Sequence, residues 1–187
     1  MSKIRVWTRQ HKNVLRELAE TGRYLAKKEY IAMEMQEHTG LILTAYDWLV
    51  KNCPDAPNRP ADVQYPVWLS FQEDTAMPAG GDGVVLELSI EESRITPVNI
   101  AKWGMILNFS YIPANENDAR RHRELLTLYR TDDARAVMTP FYPEIRREIM
   151  ESWKRLFDDT VQVENDLKYG TIWEIRREWV TEVRGNV

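Results

Sequence analysis

Tyr169-Gly170-Thr171-Ile172-Trp173-Glu174-Ile175-Arg176-Arg177-Glu178-Trp179-Val180-Thr181-Glu182-Val183 is the stretch on which the fold turns. Ile172, Ile175, Trp179 and Val183 recur at three- and four-residue steps, the stripe of an amphipathic helix. Thr171-Ile172-Trp173 is also β-branched and aromatic, the composition of a strand that leads into a short helix. Both readings stand for residues 169–183. The choice matters because Glu174, a carboxylate among apolar neighbours, rides either on a helix or beside a strand.

Upstream the signals are simpler. Val84-Val85-Leu86-Glu87-Leu88-Ser89-Ile90 alternates, with Glu87 and Ser89 on one face and Leu86, Leu88 and Ile90 on the other. Ile4-Arg5-Val6-Trp7 is a shorter strand, after which Thr8 is placed to cap a helix carrying Val14, Leu15 and Leu18 and ending at Gly22. Tyr65 to Phe71 is another strand, with Pro66 outside its ladder. Helices are expected over 31–52 (broken near Gly40 and ended by Pro54), 97–108 with Pro97 in the first turn, 115–130 and 143–157. Asp55 to Asp62, with two prolines and Pro54 just before it, is a loop. Gly80-Gly81-Asp82-Gly83 precedes a strand rather than a helix, so it reads as a hairpin-type loop and not a phosphate cradle. The sum is one α+β domain over residues 1–187, a small mixed sheet of short strands surrounded by several helices.

Composition narrows the function. The chain has 187 residues, 43% hydrophobic and 29% charged, as in a soluble protein with a real core. A net charge of −4 argues against nucleic acid as a partner. Arg120-Arg121-His122-Arg123 and Arg146-Arg147 read as solvated helix faces, because acids lie close to both. The single cysteine, Cys53, allows no intrachain disulfide and suits a reducing compartment. No run has the length of a signal peptide core or a membrane span, so a cytoplasmic protein with no membrane partner is expected.

His11, His38 and His122 are scattered without metal-ligand spacing, so no metal site is expected and each histidine reads as a surface or capping residue. No Gly-x-Ser-x-Gly elbow is present. Burial would make Glu174 or Glu87 a useful acid or base, against the alternative of an outward-facing carboxylate. Trp7-Thr8-Arg9-Gln10 and Tyr65-Pro66-Val67-Trp68-Leu69-Ser70 each put an aromatic and a hydroxyl at a strand end, where ligands are often held. Arg9 suits a phosphate or carboxylate. The plainer alternative is a helix cap at Thr8 and core packing of Trp7 and Trp68.

Several of these stretches, in order, resemble a family. They are Val6 to Gln10; Gly22-Arg23-Tyr24 with Lys28-Glu29-Tyr30; Tyr65 to Ser70; Leu86-Glu87-Leu88; Ser152 to Phe157; and Thr171 to Val180. Together they resemble the bacterial and phage family known as domain of unknown function 3841, over nearly the whole chain. That family implies no established activity.

A looser likeness is to ADP-ribosyltransferase-like folds. Their plan is a strand ending in a polar residue, a helix closing near a glycine, a second strand with an aromatic or hydroxyl motif, and a late strand delivering an acid. The likeness implies NAD as a possible substrate. Glu174, or Glu87 second, would then stabilise positive charge developing on the ribose. Trp68 or Tyr65 would stack on nicotinamide, and Thr8, Arg9 or Gln10 would bind ribose or phosphate. The chain departs from that plan: its opening motif has no histidine and Tyr65 to Ser70 is not a clean Ser-x-Ser. The competing class is a non-catalytic interaction or ligand-sequestering protein, suggested by seven tryptophans and the acidic charge. The partner is accordingly a small nucleotide-type ligand or a protein, with the oligomeric state open. The transferase reading requires Arg9 or Gln10, Trp68 and Glu174 to converge. The interaction reading expects an exposed apolar patch.

Overall fold

The computed structural model describes residues 2–28, 39–75 and 81–185, the side chains of 39–41 excepted. In chain order the elements begin β1 (Lys3–His11), α1 (Asn13–Thr21), β2 (Arg23–Tyr24), α2 (Thr39–Asn52), β3 (Val67–Ser70), β4 (Gly83–Glu91) and β5 (Thr96–Asn99). They continue with α3 (Ile100–Leu107), α4 (Glu116–Tyr129), α5 (Asp133–Met138), α6 (Pro143–Ser152), β6 (Lys168–Ile172), β7 (Ile175–Arg176) and β8 (Val180–Arg184). The class is α+β, as expected. By its contacts the chain divides into two compact units: Met1–Thr39, Leu49–Pro97 and Lys168–Val187 form the first, and Gly40–Trp48 with Val98–Leu167 the second.

The first unit is built on a six-stranded sheet of order β5-β6-β3-β1-β4-β8. The longest pairing is β1 with β4, antiparallel in nine-residue register from Lys3↔Glu91 to His11↔Gly83. Alternation sets Val6 and Thr8 opposite Leu88 and Leu86, on the face that also carries Val67, Leu69 and Ile172. Val14 and Leu18 of α1 join that cluster, at helical spacing on one stripe. Each such side chain removed from water contributes about 1.5–3 kcal/mol, which is what fixes the strand register.

This long pairing overrides the local capping signal. Thr8 does not cap α1; it lies inside β1, 2% exposed, and its Oγ1 donates to the Trp68 carbonyl at 2.7 Å. Lys12 takes the N-cap position with no side-chain cap, and its own N–H reaches the Asp82 carbonyl at 2.8 Å. Gly22 does end α1, in the left-handed region at φ 77°, with its N–H on the Leu18 carbonyl. The segment after β3 is no hairpin either. β3 and β4 both pair with β1, one on each side, so the connection must pass over it; Gly80 lies outside the described residues.

The C-terminal stretch resolves as strands. β6 ends at Ile172, the chain turns through Trp173-Glu174, β7 pairs with β2 in a separate two-stranded ribbon, and β8 closes the edge beside β4. Between β7 and β8 is only a 3-10 turn, Arg177–Trp179. The helical stripe was a coincidence of two buried residues flanking a turn, Ile172 and Ile175, with Val183, which is 37% exposed.

The second unit is helical, with a core rich in aromatic rings. Tyr46 meets Trp103 edge-on at 5.4 Å between ring centroids, and Trp48 meets Trp153 edge-on at 5.6 Å. α2 is described from Thr39 onward; the first part of the expected helix, 31–38, and with it the approach to the expected break near Gly40, lies outside the described residues, as do Glu29, Tyr30 and His38. α3 begins at Ile100 and not at Pro97, because Asn99 caps it: its Oδ1 accepts from the Lys102 N–H at 3.0 Å. Pro97 belongs to β5. The helix expected over 143–157 tightens after Ser152 into a 3-10 turn, Trp153–Phe157. Among the described residues no helix is long and apolar enough to cross a membrane.

Candidate functional site

The core covers one face of the six-stranded sheet, so the other face holds the remaining side chains of every strand. Register lays them out in rows. One row across β6, β3, β1, β4 and β8 is Tyr169, Ser70, Trp7, Glu87 and Glu182. The next is Thr171, Trp68, Arg9, Val85 and Arg184, following from the same pairings by two-residue steps. Four of the residues expected to form a site, Arg9, Trp68, Ser70 and Glu87, therefore share one surface, around a fifth, Trp7. Adjacent members of a row are about 4.8 Å apart along the sheet and the two rows about 7 Å apart, the dimensions of an aromatic ring system.

Its polar groups are partly engaged. Glu87 keeps 11% of its side chain exposed and accepts from Thr181 Oγ1 at 2.8 Å, with Arg184 Nη2 at 4.0 Å. Arg184 donates to Glu182 and Glu73, and these carboxylates raise its pKa. Ser70 Oγ donates to the Gln72 carbonyl at 2.5 Å and touches the Thr75 hydroxyl. The indole Nε1 of Trp7 is buried with no hydrogen-bond partner among the described residues. A buried donor left unmet costs about 1–3 kcal/mol, so it stands out in the middle of this face.

The other expected residues are elsewhere. Thr8 and Gln10 point to the core side of β1, joined by a Gln10 Nε2 to Thr8 Oγ1 bond of 2.8 Å. Tyr65 is 6% exposed and precedes β3, bridged to Ala26. Glu174 is 8% exposed, in the turn between β6 and β7. Its Oε2 meets Arg23 Nη2 at 2.5 Å and its Oε1 accepts from Arg176 Nε at 2.7 Å. Arg23 also holds Asp62 at 2.9 Å. Burial depresses the Arg23 pKa, and hydrogen bonds to Glu174 and Asp62 more than restore it. This carboxylate staples the β2–β7 ribbon, whose register pair is Arg23↔Arg176.

One residue of the second unit overturns its sequence reading. His122 is neither surface nor cap: it is 4% exposed, with Nε2 2.7 Å from Asp133 Oδ1 and Nδ1 3.1 Å from Glu148 Oε1. The Tyr111 ring stacks on it at 3.9 Å. Burial pushes the imidazole pKa down, but the hydrogen bonds and charges of Asp133 and Glu148 outweigh it and raise the pKa above the usual histidine value. Asp133 and Glu148 lie 11 and 26 residues away, and no local pattern announces them. His11 does act locally, its Nδ1 accepting from the Asn13 N–H at 3.2 Å. Cys53 is buried, and burial raises its thiol pKa, which makes it an inert thiol. No group of three or more metal-ligating side chains is found among the described residues.

Trp7 and Arg184 are among the members of the sheet face that the sequence reading left out of its site, with Tyr169, Thr171, Val85 and Glu182. Alternation from Arg9 would have found Trp7; Arg184 required knowing that β8 is a strand. No curated protein and no solved structure matches the chain. A family does: residues 5–181, from β1 to the start of β8, match it, and the chain belongs to the family described as Domain of unknown function (DUF3841).

Proposed function

We propose that this protein binds a nucleotide-type ligand, with NAD as the test case, on the face of its sheet opposite the core. The observation that carries this reading is the unmet Trp7 indole donor with Arg9, Trp68, Ser70 and Glu87 around it. Aromatic surface suits a planar base or nicotinamide ring, a guanidinium suits phosphate, and a carboxylate suits ribose hydroxyls. ADP-ribosyl transfer would place Glu87 beside the ribose, where developing positive charge needs an anion. Glu174, neutralised by two guanidiniums in the ribbon, has the weaker claim to that task.

The test is calorimetric titration of NAD into the wild type, Trp68→Ala and Glu87→Gln. Saturable binding weakened about tenfold by Trp68→Ala, the cost of losing one stacked base, supports the site. Release of nicotinamide by the wild type and its loss in Glu87→Gln, with binding kept, supports transfer chemistry. No binding at millimolar NAD overturns the reading. A second reading, an interaction protein without catalysis, draws on the exposed Leu128, Tyr129, Met138 and Phe141 of the helical unit.

A further inference from the structure

An ionised carboxylate only accepts hydrogen bonds, and His122 meets one at each ring nitrogen. Nε2 is 2.7 Å from Asp133 Oδ1 and Nδ1 is 3.1 Å from Glu148 Oε1. Both contacts are hydrogen bonds only if both nitrogens carry a proton, so the geometry itself calls for the imidazolium. The charged ring ties three helices together: it stands on α4, Asp133 on α5 and Glu148 on α6.

The charges around the ring balance only while it is charged. α4 adds Asp118 and Arg121, and the loop before α4 stacks the Tyr111 ring at 3.9 Å. The turn after α6 adds Arg155, 3.0 Å from Asp118 and 5.4 Å from the centre of the Tyr111 ring. Asp118, Asp133 and Glu148 are thus set against Arg121, Arg155 and the imidazolium. Other charges of these helices are engaged locally. Asp132 caps α5 on the Arg135 N–H, and the Arg135 guanidinium lies 5.9 Å from the centre of the Tyr142 ring. Glu144 pairs with Arg147, Glu151 with Lys154 and Glu116 with Arg123, Arg120 bonds Asn117, and Arg146 and Glu124 are exposed.

Loss of one proton breaks the two contacts unequally. Nε2 has the shorter contact, and Asp133 is fixed from its other oxygen by the Tyr111 N–H at 2.8 Å. The remaining proton therefore stays on Nε2, and Nδ1 turns a lone pair on Glu148 Oε1. Glu148 is 32% exposed, and Arg121, which shares that oxygen at 2.8 Å, is 50% exposed, so both side chains can turn into water at little cost. Glu148 also lines the cleft of about 340 Å³ between α4 and the start of α6, with Leu125, Tyr129 and Ile145.

We propose that His122 is a pH-operated latch on this cleft: charged, it holds α6 to α4 through Glu148; neutral, it keeps Asp133 and lets Glu148 go. Burial works against the charge, and the bonds to Asp133 and Glu148 outweigh it, so the change falls above the usual histidine value of about 6.5. The latch lies wholly in the helical unit, so it is independent of the ligand reading for the sheet.

Nitrogen-15 NMR of the full chain, labelled on the histidine rings and the backbone, decides it. Between about pH 6 and 9 the His122 ring loses Nδ1–H and keeps Nε2–H. Amide protection in α6 falls at least about tenfold through the same midpoint, as loss of one charge-assisted hydrogen bond does, while α5 keeps its protection. Glu148→Gln removes the pH dependence in α6, because its amide N–H donates to the neutral Nδ1 and its carbonyl accepts from the charged one. A ring that holds both protons to about pH 9 overturns the proposal. So does a neutral ring protonated on Nδ1, α6 protection that ignores the ring's titration, or a pH dependence in α6 that survives Glu148→Gln.

Discussion

Glu174 and Trp7 show how differently two part-buried polar groups are treated. Glu174 gathers Arg23 and Arg176, and through Arg23 it reaches Asp62, so its charge is matched where it sits. Trp7 Nε1 gathers nothing among the described residues. The substitution Glu174→Gln keeps the shape and removes the charge. Both arginines are more than a third exposed and water takes up part of the loss, so the cost is about 1–2 kcal/mol and not the larger sum of a fully buried pair. Urea denaturation measures it. NAD affinity at the sheet face stays unchanged in the same variant. A folded Glu174→Gln protein that has lost NAD binding would move the site from the sheet face to the ribbon.

At the scale of elements, the sheet is tightly packed at Gly170, opposite Leu69 in the β3–β6 pairing. A Cβ there would come within 2.6 Å of Ile95 Cγ2 and 3.3 Å of Phe71 Cζ. Gly170→Ala gains the usual advantage of alanine over glycine in a strand, about 0.5–1 kcal/mol. Ile95 is branched at Cβ and 8% exposed, so it has little room to yield. Overpacking of this kind costs about 1–3 kcal/mol, so the net expectation is destabilisation, read as a lower urea midpoint with an unchanged slope. An unchanged or higher midpoint would mean that Ile95 swings aside freely.

Which elements were legible in the sequence follows from the range of the forces that make them. β4 was plain because alternation is local and one face is core. Gly22 was plain because a left-handed helix end needs glycine. Pro97 misled because its helix-start signal was outbid by Asn99, a side-chain cap two residues on. Thr8 misled because nine residues of cross-strand register outweigh one cap. β8 was invisible, since its two apolar residues, Val180 and Val183, are three apart and come to lie opposite Leu88 and Leu86 only through a break in register, which spoils the alternation. The sheet-face site was half legible for the same reason: Arg9, Trp68, Ser70 and Glu87 were singled out one by one, while their convergence depends on strand order.

For the whole molecule the titratable network of the helical unit sets how stability varies with pH. His122 has a folded pKa above the ordinary value of about 6.5. Its contribution is complete below that value and is lost as pH rises through the folded pKa. Asp118 and Glu148 go the other way. Burial would raise both, but Tyr111, Arg121 and the Ala114 N–H for Asp118, and Arg121 and His122 for Glu148, hold them low. Their contribution is present above the ordinary carboxylate values of about 3.9 and 4.3, and is lost as pH falls through the folded ones. Stability therefore has a plateau between about pH 4.5 and 6.5 and falls on either side. The raised Cys53 thiol adds a further loss only above about pH 8.5, so the histidine limb is read below about pH 8. His122→Gln keeps a side chain that hydrogen-bonds but cannot charge. It flattens the limb between about pH 6.5 and 8, weakens the Glu148 share of the acid limb and leaves the Asp118 share, and at pH 6 it costs about 1–3 kcal/mol, the penalty of leaving two half-buried carboxylates without their charged donor. Urea midpoints at fixed protein concentration, so that self-association does not enter, give both limbs. An alkaline limb unchanged in His122→Gln would assign it to another group and leave His122 as packing alone.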